Sequence, residues 1–258
     1  MRELLDKLLL SDKVVDNFYN EFNNNPQFKN WINEVLPEVE QCEKQQQDNP
    51  WHKYNVLGHI LHSVEEMNKQ TVGLNANDRR LLAYTMFFHD IGKPECHIRR
   101  LKNGVLIDSF FNHNIASEKI AFRALPQLDF SESDVKIIAK LVYKHDMFMY
   151  IKTFKSNNKF WRVLDNNLVL DEIDKLNQVG DGKKLIKYLV MVGRADNLAQ
   201  NEKMTDESLK MLDKFDELID NLVLKRDFSK WKVFFVIYFS YKCKLSDHLH
   251  LAYLLFRK

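Results

Sequence analysis

Glycine and proline are scarce in this 258-residue chain, at seven and five. So few turn-formers disfavour a fold of many short strands and favour helices. Cysteine is scarcer still, because Cys42, Cys96 and Cys243 are an odd number, far apart and without metal-ligand spacing. They do not form a disulfide framework and read as reduced thiols of a cytoplasmic protein. Neither sign of charge dominates, since 38 Lys and Arg face 36 Asp and Glu. That balance disfavours a broad nucleic-acid footprint but leaves room for a local basic patch. Long hydrophobic runs are also missing: VFFVIYF at 233–239 is too short to span a bilayer, so no membrane partner is expected. The opening MRELLDKLLLSDK is interrupted by acid and does not read as a signal peptide. No phosphate loop ending in Gly-Lys-Ser or Gly-Lys-Thr occurs, which leaves an NTP-driven kinase unsupported.

What is present is amphipathic helical spacing almost everywhere, and an all-α class is expected. Residues 1–42 read as two or three short helices punctuated by NNNPQ and LPE, and EKQQQDNP at 43–50 reads as a linker. One strand pair is expected, because Asn103-Gly104 is a two-residue hairpin signal between Ile98–Leu101 and Val105–Ile107. A loop is expected around 155–161. A helix follows GDGKK at 180–184, another amphipathic helix spans 206–224, and an aromatic segment closes the chain at 228–258. That last segment reads either as a buried terminal helix or as an oligomer interface, and the oligomeric state is left open.

The chemistry lies in ionisable residues on apolar faces. TMFFHDIGKPE, Thr85 to Glu95, puts His89 and Asp90 at the end of the greasiest segment of the chain. An unpaired buried carboxylate is costly, so a neutralising partner is required. In SDVKIIAKLVYKHD, with Ser131 or Ser133 as the cap, His145 continues the stripe of Ile138, Leu141 and Val142. Asp196 extends the stripe of Leu185, Leu189 and Val192. It points either to an ion pair with Arg194 or to a cation. His59 lies at the edge of an apolar face near Val56 and Ile60, and His113 leads the face of Ala116 and Ile120. Clustered imidazole and carboxylate in a helical interior suits a divalent metal. His97, His248 and His250 have no such company and read as ordinary residues, while His52 has no assigned role.

The order His59, FFHDIGK and GRADNLAQ resembles the HD-domain superfamily of metal-dependent phosphohydrolases. It is most similar to the HD domains of bacterial CCA-adding enzymes and their stand-alone relatives, through NPWHKYNVLGHIL, HDIGKPE, FFNHNIAS, LVYKH and RADNLAQ. The resemblance covers residues 49–201. Residues 1–48 and 202–258 are then N- and C-terminal helical extensions. It implies a helical bundle with metal ligands at His59, His89, Asp90 and Asp196. It also implies a second ion at His113 and His145, bridged by Asp90. One departure bears on that second ion: the family often has an acidic residue after the histidine where this chain has Asn114.

Two histidines and two aspartates suit Mn, Fe, Co, Ni or Zn better than Mg, with one ion or two. Asp90 and Lys93 are the expected catalytic pair, with Lys93 neutralising a phosphate oxygen. Lys93 can also be read as a solvated lysine at a helix end. Arg99 and Arg100, with Lys102, read as phosphate or nucleotide contacts, or as an ordinary basic hairpin. The expected function is a phosphohydrolase acting on a phosphomonoester or cyclic phosphodiester of a nucleotide or RNA end. The alternatives are a nucleotidase or triphosphohydrolase on free nucleotides, and a metal-binding regulatory module without catalysis.

Overall fold

In a computed structural model, the described residues are 1–153 and 161–222. They fall into two units, Met1–Asp216 and Glu217–Lys258. The loop expected around 155–161 and the aromatic segment at 228–258 lie wholly or mostly outside the described residues. The helix expected at 206–224 is helical over 206–222 as far as described.

Among the described residues the protein is all-α apart from one hairpin and a two-residue pairing. Helices α1 (Arg2–Leu9), α2 (Val14–Asn24), α3 (Pro26–Val35) and α4 (Glu38–Lys44) precede the linker-like segment. The sequence pointed to two or three helices here, and the fourth arises because the prolines start helices rather than only ending them. Pro26 is the first residue of α3 behind the Asn25 cap, and Pro37 caps α4. Phe18 of α2 packs against Phe22, Phe28 and Phe87, which ties this layer to the central core.

Helix α5 (Val56–Gln70) starts at Asn55, whose Oδ1 accepts from Gly58 N at 2.7 Å. Helix α6 (Ala76–Phe88) is buried at every position from Leu81 to Phe88, so LLAYTMFF is the central post of the core. Strands β1 (His97–Lys102) and β2 (Val105–Phe110) pair antiparallel about Asn103 and Gly104. Both turn residues have positive φ, 52° and 79°, as a two-residue hairpin requires.

Helices α7 (His113–Ala124) and α8 (Glu132–Lys144) follow, and Ser131 rather than Ser133 caps α8. A 3-10 turn, His145–Tyr150, leads to β3 (Ile151–Lys152), which pairs in parallel with β4 (Arg162–Val163). Helices α9 (Asn166–Leu176) and α10 (Gly182–Leu198) complete the bundle. Helix α5 packs on α6 and α10, and α8 packs on α6 and α7. The ends of α6, α8 and α10 thus converge on the start of α5 and the start of α7. No helix among the described residues is long and apolar enough to cross a membrane.

Candidate metal centre

Each cluster residue sits at or near a helix end, His59 being the fourth residue of α5. His89 and Asp90 form the turn after α6, His113 opens α7, His145 follows α8, and Asp196 lies in the last turn of α10. Three of the histidines donate from Nδ1 to a backbone carbonyl three residues earlier in the chain. His89 Nδ1–H donates to Met86 O at 2.6 Å, His113 Nδ1–H to Phe110 O at 2.7 Å, and His145 Nδ1–H to Val142 O at 2.6 Å. A proton held on Nδ1 leaves the Nε2 lone pair free, the tautomer a metal ligand needs. His59 Nδ1 lies 3.5 Å from Ala199 O, a longer contact of the same kind.

The four Nε2 atoms meet in two pairs, His59 with His89 at 3.3 Å and His113 with His145 at 3.1 Å. Asp90 stands between the pairs. Its Oδ2 lies 3.2 Å from His59 Nε2 and 3.3 Å from His89 Nε2. Its Oδ1 lies 3.0 Å from His113 Nε2 and 3.5 Å from His145 Nε2. Asp196 Oδ1 joins the first pair, at 3.0 Å from His59 Nε2 and 3.7 Å from His89 Nε2.

These residues fit a divalent cation. Their donor atoms form two groups, His59-His89-Asp90-Asp196 and Asp90-His113-His145, within which all lie inside 4.8 Å of one another. Facing imidazole lone pairs repel unless a cation or proton lies between them. Asp90 Oδ2 is buried without a hydrogen-bond partner, although Lys93 Nζ approaches it as an ion pair at 2.6 Å. Burial alone would drive Asp90 and Asp196 towards the neutral form. Lys93 and the histidines instead hold the Asp90 carboxyl well below the usual range, and His59 and His89 do the same for Asp196. Burial likewise disfavours a charged His89, but Asp90 and Asp196 push it up to about 10.

All six sequence-derived ligands are therefore brought together. Arg194 pairs with Asp213 at 2.8 Å, which leaves Asp196 to the histidines. Lys93 is buried rather than solvated, with Gln47 Oε1 at 2.8 Å and His52 Nε2 at 3.2 Å from its Nζ. The hairpin arginines have partners within the protein. Arg99 pairs with Asp48 at 2.7 Å and Asp108 at 3.2 Å, and Arg100 Nε donates to Ser109 Oγ at 2.7 Å.

Asp146 and Gln47 escaped the sequence reading, which leaves His52 without a role. Asp146 reaches His113 and His145, while Gln47 and His52 hold Lys93. His52 is oriented by Asn49, whose Oδ1 lies 2.9 Å from its Nδ1. Burial, reinforced by Lys93, keeps His52 well below the ordinary histidine range and hence neutral. Only the Asn-Pro-x-His spacing hinted at this role. His97, read as without company, pairs with Asp108 at 2.9 Å on the hairpin.

No family model matches the chain. Over 101 residues it is 30% identical to a bifunctional uridylyltransferase/uridylyl-removing enzyme of Nitrobacter hamburgensis (strain DSM 10229 / NCIMB 13809 / X14). That stretch is 38% of this chain and 11% of the relative's length.

Proposed function

We propose that the protein is an HD-type metal-dependent phosphohydrolase that cleaves a phosphomonoester or cyclic phosphodiester of a nucleotide or RNA end. The observation that carries this reading is the division of Asp90, one oxygen to each imidazole pair. A single buried carboxylate facing two sets of nitrogen donors is the arrangement of a bridging ligand. The partial relative's name includes uridylyl removal, and detaching a uridylyl group is scission of a phosphodiester. The free thiols of Cys42 and Cys96 agree with a cytoplasmic setting.

A divalent ion bound here would supply a water of lowered pKa and polarise a phosphoryl oxygen. His59, His89, Asp90 and Asp196 would hold it, and His113 and His145 would hold a second. Lys93 Nζ, held by Gln47, His52 and Asp90, would donate to a phosphate oxygen by giving up one of these partners. Burial strengthens that contact by excluding water. Arg99 and Arg100 would grip the distal part of the substrate by exchanging their present partners.

The test is metal analysis of the purified protein together with a screen of 2′,3′-cyclic nucleotides, nucleoside monophosphates and dNTPs. Bound metal with turnover of cyclic nucleotides or monoesters is expected. Metal-free protein, or no turnover with any divalent ion, overturns the reading. Turnover of dNTPs alone would make it a triphosphohydrolase.

A further inference from the structure

We propose that Asp146 is the fourth ligand of the second cation site, beside Asp90, His113 and His145. It supplies from α8's end the acidic group that His113 lacks at Asn114. The inference rests on the metal-centre reading above and adds to it a residue that the sequence did not single out.

Asp146 straddles the second imidazole pair. Its Oδ2 lies 3.2 Å from His113 Nε2 and its Oδ1 lies 3.4 Å from His145 Nε2. Among the described residues these two imidazoles are the ionisable side chains within ion-pair distance of it. With Asp146 included, each site has the same composition: two Nε2 atoms, one oxygen of Asp90 and one further carboxylate. The outer carboxylates also match in setting. Asp196 and Asp146 are 14% and 21% exposed, whereas Asp90 between them is 2% exposed. Each site thus closes on the protein side through Asp90 and on the solvent side through its own aspartate.

The neighbouring groups leave this position to Asp146. Asn114 is turned away, with its Nδ2 donating to Tyr143 O at 2.9 Å. Lys144 bonds to the buried Glu172 and puts no positive charge on the imidazoles. A carboxylate facing two Nε2 lone pairs is repulsive unless a cation or proton lies between, so the arrangement fits a cation site. Adding an anionic ligand also raises the affinity of a His2Asp set for a dication.

The experiment is a Mn2+ titration of chelator-stripped protein by calorimetry, with stoichiometry checked by elemental analysis and electron paramagnetic resonance. The wild type is expected to take two ions and show an exchange-broadened signal. Asp146→Asn is expected to keep one ion, lose at least about tenfold in affinity for the other, and give the six-line signal of isolated Mn2+. Asp146→Glu, which retains the carboxylate, is expected to take two ions, and circular dichroism verifies that both variants fold. Two ions bound by Asp146→Asn with unchanged affinity would overturn the proposal. So would a wild type that binds one ion no differently from Asp146→Asn. A wild type that binds no ion would overturn the metal-centre reading itself, an outcome distinct from the other two.

Discussion

Lys93 Nζ stands 2.6 Å from Asp90 Oδ2, and both side chains are almost wholly shut away from solvent. A buried pair of this kind is held together by mutual need, because removing one member strands the other's charge. A dication in the cluster would supply a second, stronger compensation for Asp90.

Lys93→Met is therefore expected to destabilise chelator-treated protein by roughly 3–5 kcal/mol. Added Mn2+ should restore most of that loss while turnover stays depressed. Thermal melts with and without chelator measure it. An equal loss of stability in both conditions would show that Lys93 does not compensate Asp90.

Proton release should accompany metal binding. Burial works against a charged His89, but its carboxylates raise it from 6.5 to about 10. In metal-free protein that raised value contributes stability fully present below about pH 6.5 and lost as pH climbs through 10. Asp90 and Asp196 shift the other way, so their contribution is present above about pH 3.8 and fades as pH falls through their lowered values. A cation must displace the His89 proton, so apparent affinity should rise with pH across neutrality. Calorimetry in buffers of different ionisation heat counts the protons. None released at pH 7 would mean that His89 is already neutral.

Gly92 links the His89-Asp90 turn to α7. A Cβ there would meet Ser117 N at 2.5 Å and Ala116 Cβ at 2.7 Å, and Gly92 N already donates to Ser117 Oγ. Gly92→Ala should push α7 away at a cost of about 1–3 kcal/mol. Because α7 carries His113, the second cation should weaken more than the first in a Mn2+ titration. Equal weakening of both would show that α7 does not move independently.

Glu172 anchors the end of α8 from α9. Burial favours its neutral form, yet Lys144, Arg162 and Lys175 bring it from 4.5 to about 2. Its contribution is present above pH 4.5 and lost as pH falls towards 2. Glu172→Gln should cost roughly 3 kcal/mol at pH 7. The gap from wild type should close in acid, as urea unfolding at several pH values would show. A gap independent of pH would rule out the ion-pair origin.

The helical class and six cluster residues were legible because helical periodicity betrays a polar residue on an apolar stripe. His145 and Asp196 showed themselves in that way, each one turn beyond an aliphatic row. Asp146 did not, because it lies two residues past the end of α8, where a 3-10 turn replaces the 3.6-residue period. Gln47 and His52 sit in irregular chain, where spacing carries no facing information. The hairpin was legible from Asn103-Gly104, but the partners of Arg99 were not. Asp48 and Asp108 are brought together by reciprocal bonds, Asp48 N to Asp108 Oδ2 and Asp108 N to Asp48 O.

The sequence by itself determined that His145 and Asp196 face inward and that a buried His89-Asp90 pair needs positive charge. Both follow from local periodicity and the cost of burying a carboxylate. Only the tertiary structure decided how the charges are shared. Asp90 divides its oxygens between two imidazole pairs, Lys93 is drawn into the interior, and Asp146 turns towards the second pair. Those relations depend on where five helices converge, and packing between distant segments fixes that point.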